Sequence, residues 1–479
     1  MSVKILGKLP DPFRKEDGSR MTPEEWYAQR DQLFEKICET EFGGMPPRPE
    51  VVKVVRLTAP RVDGGANIYK VWAGTKEQQV SFLIDLTAPI GPVDGSVKYP
   101  VLLAGDGCYT TCESDTIAKA CSMKFAVARF NRLEFANDDK DAGRIGGLYE
   151  IYPEHKTFTA ISAWAWGYMA AMDALAQIPH VDIENVGITG HSRGGKTVLL
   201  AAAADTRIKF VCPHNSGCHG ANSYRLKEHQ PEISKRTEEL SDMFKNLPHW
   251  MGEGLREYID REDELPYDMH FFGALIAPRF YIQCEGMQDY WINPKGAWMN
   301  FCGVKEAYRY LGCEDNCAAW FRPGAHRHKL PDFTEFLEFM RAKMQGKPTA
   351  EHLKINPYPE LKIDTDWDTR IKLSVFGNLD AFEMSENDAL ETSDDDDDNV
   401  ILKFDSDDEM IYAAAVLAVE SGKISTSLIQ RKFTVGYGRA ARIIDRLEEM
   451  GIVDYPDGNK PRKILVTKDE LASKFPDKK

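Results

Sequence analysis

Three groups of residues in this chain carry recognisable chemistry. The first is Gly190-His191-Ser192-Arg193-Gly194, which follows the strand-like run Asn185-Val186-Gly187-Ile188-Thr189. A serine delivered by a strand into a tight turn with small neighbours projects its hydroxyl above a sheet, where it can attack a carbonyl carbon. Such a serine needs a base. His326 and His328 both follow the apolar run 318–322, in Pro323-Gly324-Ala325-His326-Arg327-His328. Either could take the proton, with His326 favoured because it directly follows the small-residue turn. The base in turn needs a carboxylate to fix its tautomer. Asp289, on the loop after 279–284, keeps the chain order serine, acid, histidine, while Glu285 competes from the strand end. The developing oxyanion calls for donors. The start of the helix after Ser192 supplies some, and Gly105-Asp106-Gly107, after Val101-Leu102-Leu103, is the candidate for the second set.

These groups need a sheet to position them. Strand-like segments at 100–103, 125–130, 186–189, 210–213, 280–284 and 318–322 alternate with helical stretches at 160–176, 195–204 and 296–311. That alternation is an α/β pattern with a mostly parallel sheet, and with the serine elbow it predicts an α/β-hydrolase fold. Residues 349–376 are expected to close against it.

The remaining group lies in the C-terminal part. Asp394 to Asp398 are consecutive acids, an expected solvated linker. Beyond them, Met410, Ala413, Ala414 and Leu417 mark a helix that Gly422 can end, and Ser425 caps a second short one over 426–433. A third, over 437–450, has Ala440, Ile443, Ile444 and Leu447 on its inner face and Gly451 as its stop. A hairpin around Pro456-Asp457-Gly458-Asn459 completes a winged helix-turn-helix. Arg439, Arg442 and Arg446 share the outer face of the third helix, as a helix in a major groove requires. Arg431 and Lys432 could meet phosphates, with Lys460, Arg462 and Lys463 on the wing. The competing reading is a solvated basic face on a protein-docking module.

The expected organisation is therefore a hydrolase domain over 1–375, an acidic linker over 376–408 and a winged helix with a tail over 409–479. A net charge of −15 over 479 residues speaks against nucleic-acid binding by the whole, but residues 409–479 carry a modest basic excess. No apolar stretch reaches membrane-spanning length, and the first twenty residues have no apolar core of a signal peptide. Ten scattered cysteines fit a reducing compartment, so a cytoplasmic location without membrane attachment is expected. Cys212, His214, Cys218 and His219 match no zinc-finger spacing, and neither metal nor cofactor is expected. Trp164, Trp166, Trp250, Trp291 and Trp298 are core material or, for some, sugar-stacking platforms.

Residues 9–339 resemble the glucuronoyl esterases, carbohydrate esterase family 15. The resemblance is carried by Gly190-His191-Ser192-Arg193-Gly194-Gly195-Lys196, Leu275-Ile276-Ala277-Pro278-Arg279 and Arg322-Pro323-Gly324-Ala325-His326. It implies that Ser192 is the nucleophile, that the Arg193 side chain joins the oxyanion hole and that Lys196 helps bind a sugar. Some members carry the acid as a glutamate after the strand that follows the elbow helix, near the place of Asn215 here, which leaves that role to Asp289, as in bacterial relatives. Fungal members have disulfide cysteines where His191 and Arg327 stand here.

Residues 410–466 look like the gamma domain of FtsK-type DNA translocases, a winged helix that reads short G-rich motifs. Ile424-Ser425-Thr426-Ser427-Leu428-Ile429-Gln430-Arg431-Lys432-Phe433 and Gly436-Tyr437-Gly438-Arg439-Ala440-Ala441-Arg442-Ile443-Ile444 carry the match. Gly438 replaces a common asparagine, and no P-loop is present, so binding of double-stranded DNA without translocation is implied. The expected function is a serine hydrolase of a small carbohydrate ester, tethered to DNA. The alternative is a DNA-binding regulator whose hydrolase-like head senses a ligand without turnover.

Overall fold

A computed structural model describes residues 2–363 except 16, 108–111, 156 and 231–234, together with Trp367; further on it describes 407–421, 424, 429, 443–444, 446–448, 450–454, 464–467 and 471. The chain separates into two compact units, Met1–Phe382 and Glu383–Lys479.

In chain order the first unit contains β1 (Ser2–Ile5), α1 (Pro23–Phe42), β2 (Val51–Arg56), β3 (Ala66–Gly74), β4 (Gln79–Thr87) and β5 (Tyr99–Ala104). Next come α2 (Ser114–Ser122), β6 (Ala126–Arg129), the short α3 (Leu148–Ile151), α4 (Ala160–Leu175), β7 (Val181–His191) and α5 (Arg193–Ala204). It continues with β8 (Phe210–His214), β9 (Leu226–Gln230), β10 (Lys235–Arg236), α6 (Leu240–Asn246) and α7 (His270–Ile276). The last elements are β11 (Phe280–Gly286), α8 (Pro294–Tyr310), β12 (Cys317–Arg322) and α9 (Leu330–Met344). Local chemistry sets several of these limits. The Thr22 hydroxyl accepts the Glu25 amide while the Glu25 carboxylate accepts the Thr22 amide, opening α1, and left-handed Gly43 closes it.

Nine strands form the main sheet in the order β12-β11-β8-β7-β5-β6-β4-β3-β2. From β12 to β6 every pairing is parallel; β4, β3 and β2 extend the sheet antiparallel. The six expected strands are all in the parallel part. The antiparallel extension is an addition, and β3 shows the alternating burial of a strand whose two faces differ. Along β5, Val101 and Leu103 join the core on one face and Leu102 the core on the other. The first core takes in α4, which is buried almost all round; the second is closed by Phe333, Phe336, Leu337 and Met340 of α9. Within the expected closing segment, Leu353 joins the second core and Ile363 and Trp367 the first. A separate sheet, β1-β9-β10, brings the N-terminus against the segment after β8.

In the second unit, α10 (Asp407–Ser421) buries Met410, Ala414, Ala415 and Ala418, with Leu417 half-buried, so its inner stripe is rotated slightly from the expected one. Ile424, Ile429, Ile443, Ile444, Leu447, Ile452 and Val453 complete a small core. Gly451 takes a left-handed φ of 63° and its amide donates to the Glu448 carbonyl, as a helix stop should. Val453 bridges Ile464 antiparallel, the described part of the expected hairpin.

Candidate active site

β7 ends in a sharp turn at Ser192, whose φ of 58° and ψ of −120° lie far from the ordinary regions of a side-chain-bearing residue. Only minimal neighbours permit it. A Cβ on Gly190 would sit 2.3 Å from the Gly194 carbonyl oxygen, and one on Gly194 would sit 2.4 Å from the Asp106 carboxylate. The Ser192 amide is held by the His214 carbonyl at 2.9 Å. α5 begins at once, so its positive dipole end faces the serine.

Asp289 and His326 come from the loops after β11 and β12, parallel neighbours. Those loops are stitched together: the Met287 amide donates to the Arg322 carbonyl at 2.8 Å and the Gln288 amide to the Gly324 carbonyl at 3.1 Å. Asp289 is buried, and its Oδ2 meets His326 Nδ1 at 2.5 Å. The Asn215 side-chain amide donates to the same oxygen at 2.6 Å and steadies the aspartate. The His326 ring stacks obliquely on that of His191, centroids 4.3 Å apart, which brings it over the elbow.

The competing residues are placed elsewhere. His328 is buried, stacked on Phe333 at 3.9 Å and on His214 at 4.5 Å, and burial drives its basicity far down. Glu285 lies within β11, buried, where desolvation raises its carboxyl well above the usual range and the Gln283 amide is its neighbour at 3.3 Å.

One expectation, Gly105 as an oxyanion donor, is corrected. The Gly105 amide donates to the Tyr168 hydroxyl at 2.6 Å, and the Gly107 amide to the Phe130 carbonyl at 3.0 Å, so neither points an N–H at a substrate. Asp106 is buried, ion-paired with Arg132, and accepts the His191 amide at 3.0 Å. A carboxylate so engaged braces the elbow. The remaining two substrate-side residues have anchored heads. Arg193 pairs with Asp138 and lies over the Trp250 ring, 4.9 Å from its centroid. Lys196 is buried beneath the elbow, donating to the Ser216 carbonyl at 2.6 Å and to that of Cys218.

Asp138 was not visible as a site residue in the sequence. Its carboxylate also accepts His249 Nε2 at 3.0 Å and Trp250 Nε1 at 2.9 Å. Of the tryptophans singled out, Trp164, Trp166, Trp250 and Trp298 are buried. Trp291, two residues past Asp289, is 47% exposed. In the second unit Arg446 is exposed. Arg431, Lys432, Arg439, Arg442, Lys460, Arg462 and Lys463 lie outside the described residues.

A strained serine turn at the end of a central parallel strand, with an aspartate–histidine pair on the loops of two later strands, defines the α/β-hydrolase class. Comparison with known proteins narrows it: residues 71–312 match the family model described as "Glucuronyl esterase, fungi", and the chain belongs to that family of carboxylic ester hydrolases. It is 29% identical to the 4-O-methyl-glucuronoyl methylesterase of Schizophyllum commune over 327 residues, 67% of this chain and 77% of that protein. Similarity to 4-O-methyl-glucuronoyl methylesterase 1 of Wolfiporia cocos is 26% over 326 residues, covering 67% and 76%. The carbohydrate esterase family 15 glucuronoyl esterase from Caldicellulosiruptor kristjansonii superposes with a TM-score of 0.64 at 28% identity, over 76% of this chain and 97% of that one. Residues 405–467 match the model described as "Ftsk gamma domain".

Proposed function

We propose that the chain hydrolyses the ester of a sugar acid, a glucuronoyl ester, through Ser192, His326 and Asp289. The observation that carries this reading is the 2.5 Å contact between His326 Nδ1 and Asp289 beside the serine elbow. Asp289 holds the proton on Nδ1, so Nε2 is the basic nitrogen. As Ser192 Oγ bonds to the ester carbon, its proton passes to Nε2, and the oxyanion is met by the Arg193 guanidinium and the amides at the start of α5. The carbon–oxygen bond to the alcohol then breaks, and the alcohol leaves with the proton from Nε2. Water, deprotonated by the same nitrogen, releases the acid and restores the serine. The exposed face of Trp291 suits stacking on a sugar ring, and the names of the relatives support a uronate ester.

The test is turnover of an aryl acetate and a methyl glucuronate ester side by side. Ser192→Ala is expected to lose at least about a thousandfold in kcat on both. Preference for the glucuronate supports the uronate ester; preference for the acetate moves the substrate outside it. Equal turnover by Ser192→Ala would refute the mechanism.

For the second unit we propose binding of double-stranded DNA, supported by the family match over 405–467 and the basic residues of that segment. A cytoplasmic place of action is part of this proposal, in keeping with the ten scattered cysteines. Duplex affinity is expected to fall steeply with salt and to weaken at least about tenfold in Arg439→Ala/Arg442→Ala, measured by fluorescence anisotropy. Binding insensitive to both salt and substitution would favour a protein-docking role.

A further inference from the structure

One loop, residues 215–222, holds two of the groups given a role above, Asp289 and Lys196. Asn215 holds Asp289; the Ser216 and Cys218 carbonyls hold Lys196. Its backbone is left-handed at Asn215 (φ 43°), Gly217 (φ 64°) and His219 (φ 65°), and two of these are not glycine. Such a conformation persists only where the surroundings over-determine it.

His219 is the anchor. Its ring is fully buried and packs against Phe42, centroids 4.5 Å apart. Nε2 lies 3.1 Å from the Trp250 carbonyl oxygen, which can only accept, so Nε2 carries a proton. Nδ1 lies 2.6 Å from Oε1 of Glu41, equally buried near the end of α1. A neutral ring with its proton on Nε2 would aim a lone pair at that carboxylate. Glu41 also accepts the Tyr267 hydroxyl at 2.7 Å and the Tyr224 hydroxyl. Two phenol hydroxyls and the His219 ring nitrogen therefore converge on one carboxyl group.

We propose that His219 is a doubly protonated imidazolium, held by the Glu41 carboxylate, and that this buried ion pair is the positioning device of the active site. An ion pair removed from water is tolerated when its remaining donors and acceptors are satisfied, and here Trp250, Tyr224 and Tyr267 satisfy them. His219 reaches no reacting atom. It acts through Asn215 on Asp289, and through Trp250 on Arg193, whose guanidinium lies over the Trp250 ring. The inference rests on the hydrolytic reading above.

The experiment uses the full chain labelled with 15N-histidine, with Glu41→Gln, His219→Gln and the milder Tyr267→Phe. In the unsubstituted protein at neutral pH, the ring that disappears in His219→Gln is expected to bear protons on both nitrogens. Glu41→Gln is expected to remove one of them. The downfield proton of His326 Nδ1–Asp289 is expected to shift in folded Glu41→Gln and His219→Gln, and to shift less in Tyr267→Phe. On an aryl acetate, kcat should fall about tenfold to a hundredfold in the first two, as displacement of catalytic groups by a distant change can do. A singly protonated His219 ring in the unsubstituted protein would overturn the proposal. So would variants that keep both the His326 resonance and kcat. Should Ser192→Ala retain turnover, the hydrolytic reading falls, while ring protonation and the His326 resonance still decide for or against the ion pair.

Discussion

Two glycine-rich turns stand at the ends of adjacent parallel strands, Gly190–Gly194 after β7 and Gly105–Gly107 after β5, and they serve opposite ends. The first is emptied of side-chain bulk so that Ser192 can adopt a strained backbone with α5 starting directly behind it. The second is tied down: the Gly105 and Gly107 amides go to Tyr168 and Phe130, and the aspartate carboxylate goes to Arg132 and to the His191 amide. One turn exposes Ser192, the proposed nucleophile, and the other spends its aspartate carboxylate on holding the first in place. Glycine at a strand end therefore does not by itself make an oxyanion site; where the N–H groups go decides it.

Breaking the brace should cost stability before chemistry. Asp106→Asn removes the carboxylate charge paired with the buried Arg132, an expected loss of about 3–5 kcal/mol in denaturant unfolding. The asparagine oxygen can still accept the His191 amide, so turnover per folded molecule should stay within a few-fold. A variant as stable as the parent would show that Asp106 is no brace. Gly194→Ala strikes the presenting turn instead. Its methyl would collide with the Asp106 carboxylate, and the resulting displacement of the elbow should lower kcat about a hundredfold. Ordinary kcat in Gly194→Ala would mean that the turn has room the geometry denies it.

The contrast also explains what could be read from the sequence. Ser192, Asp289 and His326 stood out because each follows a strand in the order the fold imposes, and that order is local information. His326 was separable from His328 only in part. The stacking of His328 on Phe333 and His214 depends on α9 and β8, which no spacing reveals. Gly105 was misread, and the bracing role of the Asp106 carboxylate missed, because their partners, Tyr168 and Arg132, come from α4 and from the segment after β6. Glu41 and Asp138 gave no signal, since isolated acids acquire meaning only from the distant histidines that face them. The antiparallel strands β2–β4 lie away from every motif, so attention to chemistry passed over them.

Asp138 sharpens the comparison from the substrate side, with the smallest expected effect. Burial opposes its ionisation, but His249, the Arg193 charge and Trp250 together outweigh burial and hold its carboxyl at about 2, against an ordinary 3.8. Folding therefore favours the charged form. Its contribution to stability is present in full above the ordinary value and drains away as pH falls from 3.8 towards 2. Asp138→Asn lacks that contribution, so its stability should change less than the parent's across this acid window. At neutral pH the variant leaves Arg193 over Trp250 without its carboxylate anchor. The arginine is displaced rather than removed, so kcat should fall only about tenfold, below the loss of about a hundredfold or more when an oxyanion donor is deleted. Parallel acid unfolding curves with unchanged kcat would separate Arg193 from the oxyanion. A flattened acid limb with lowered kcat would join the loop carrying Asp138 to the presenting turn as part of one machine.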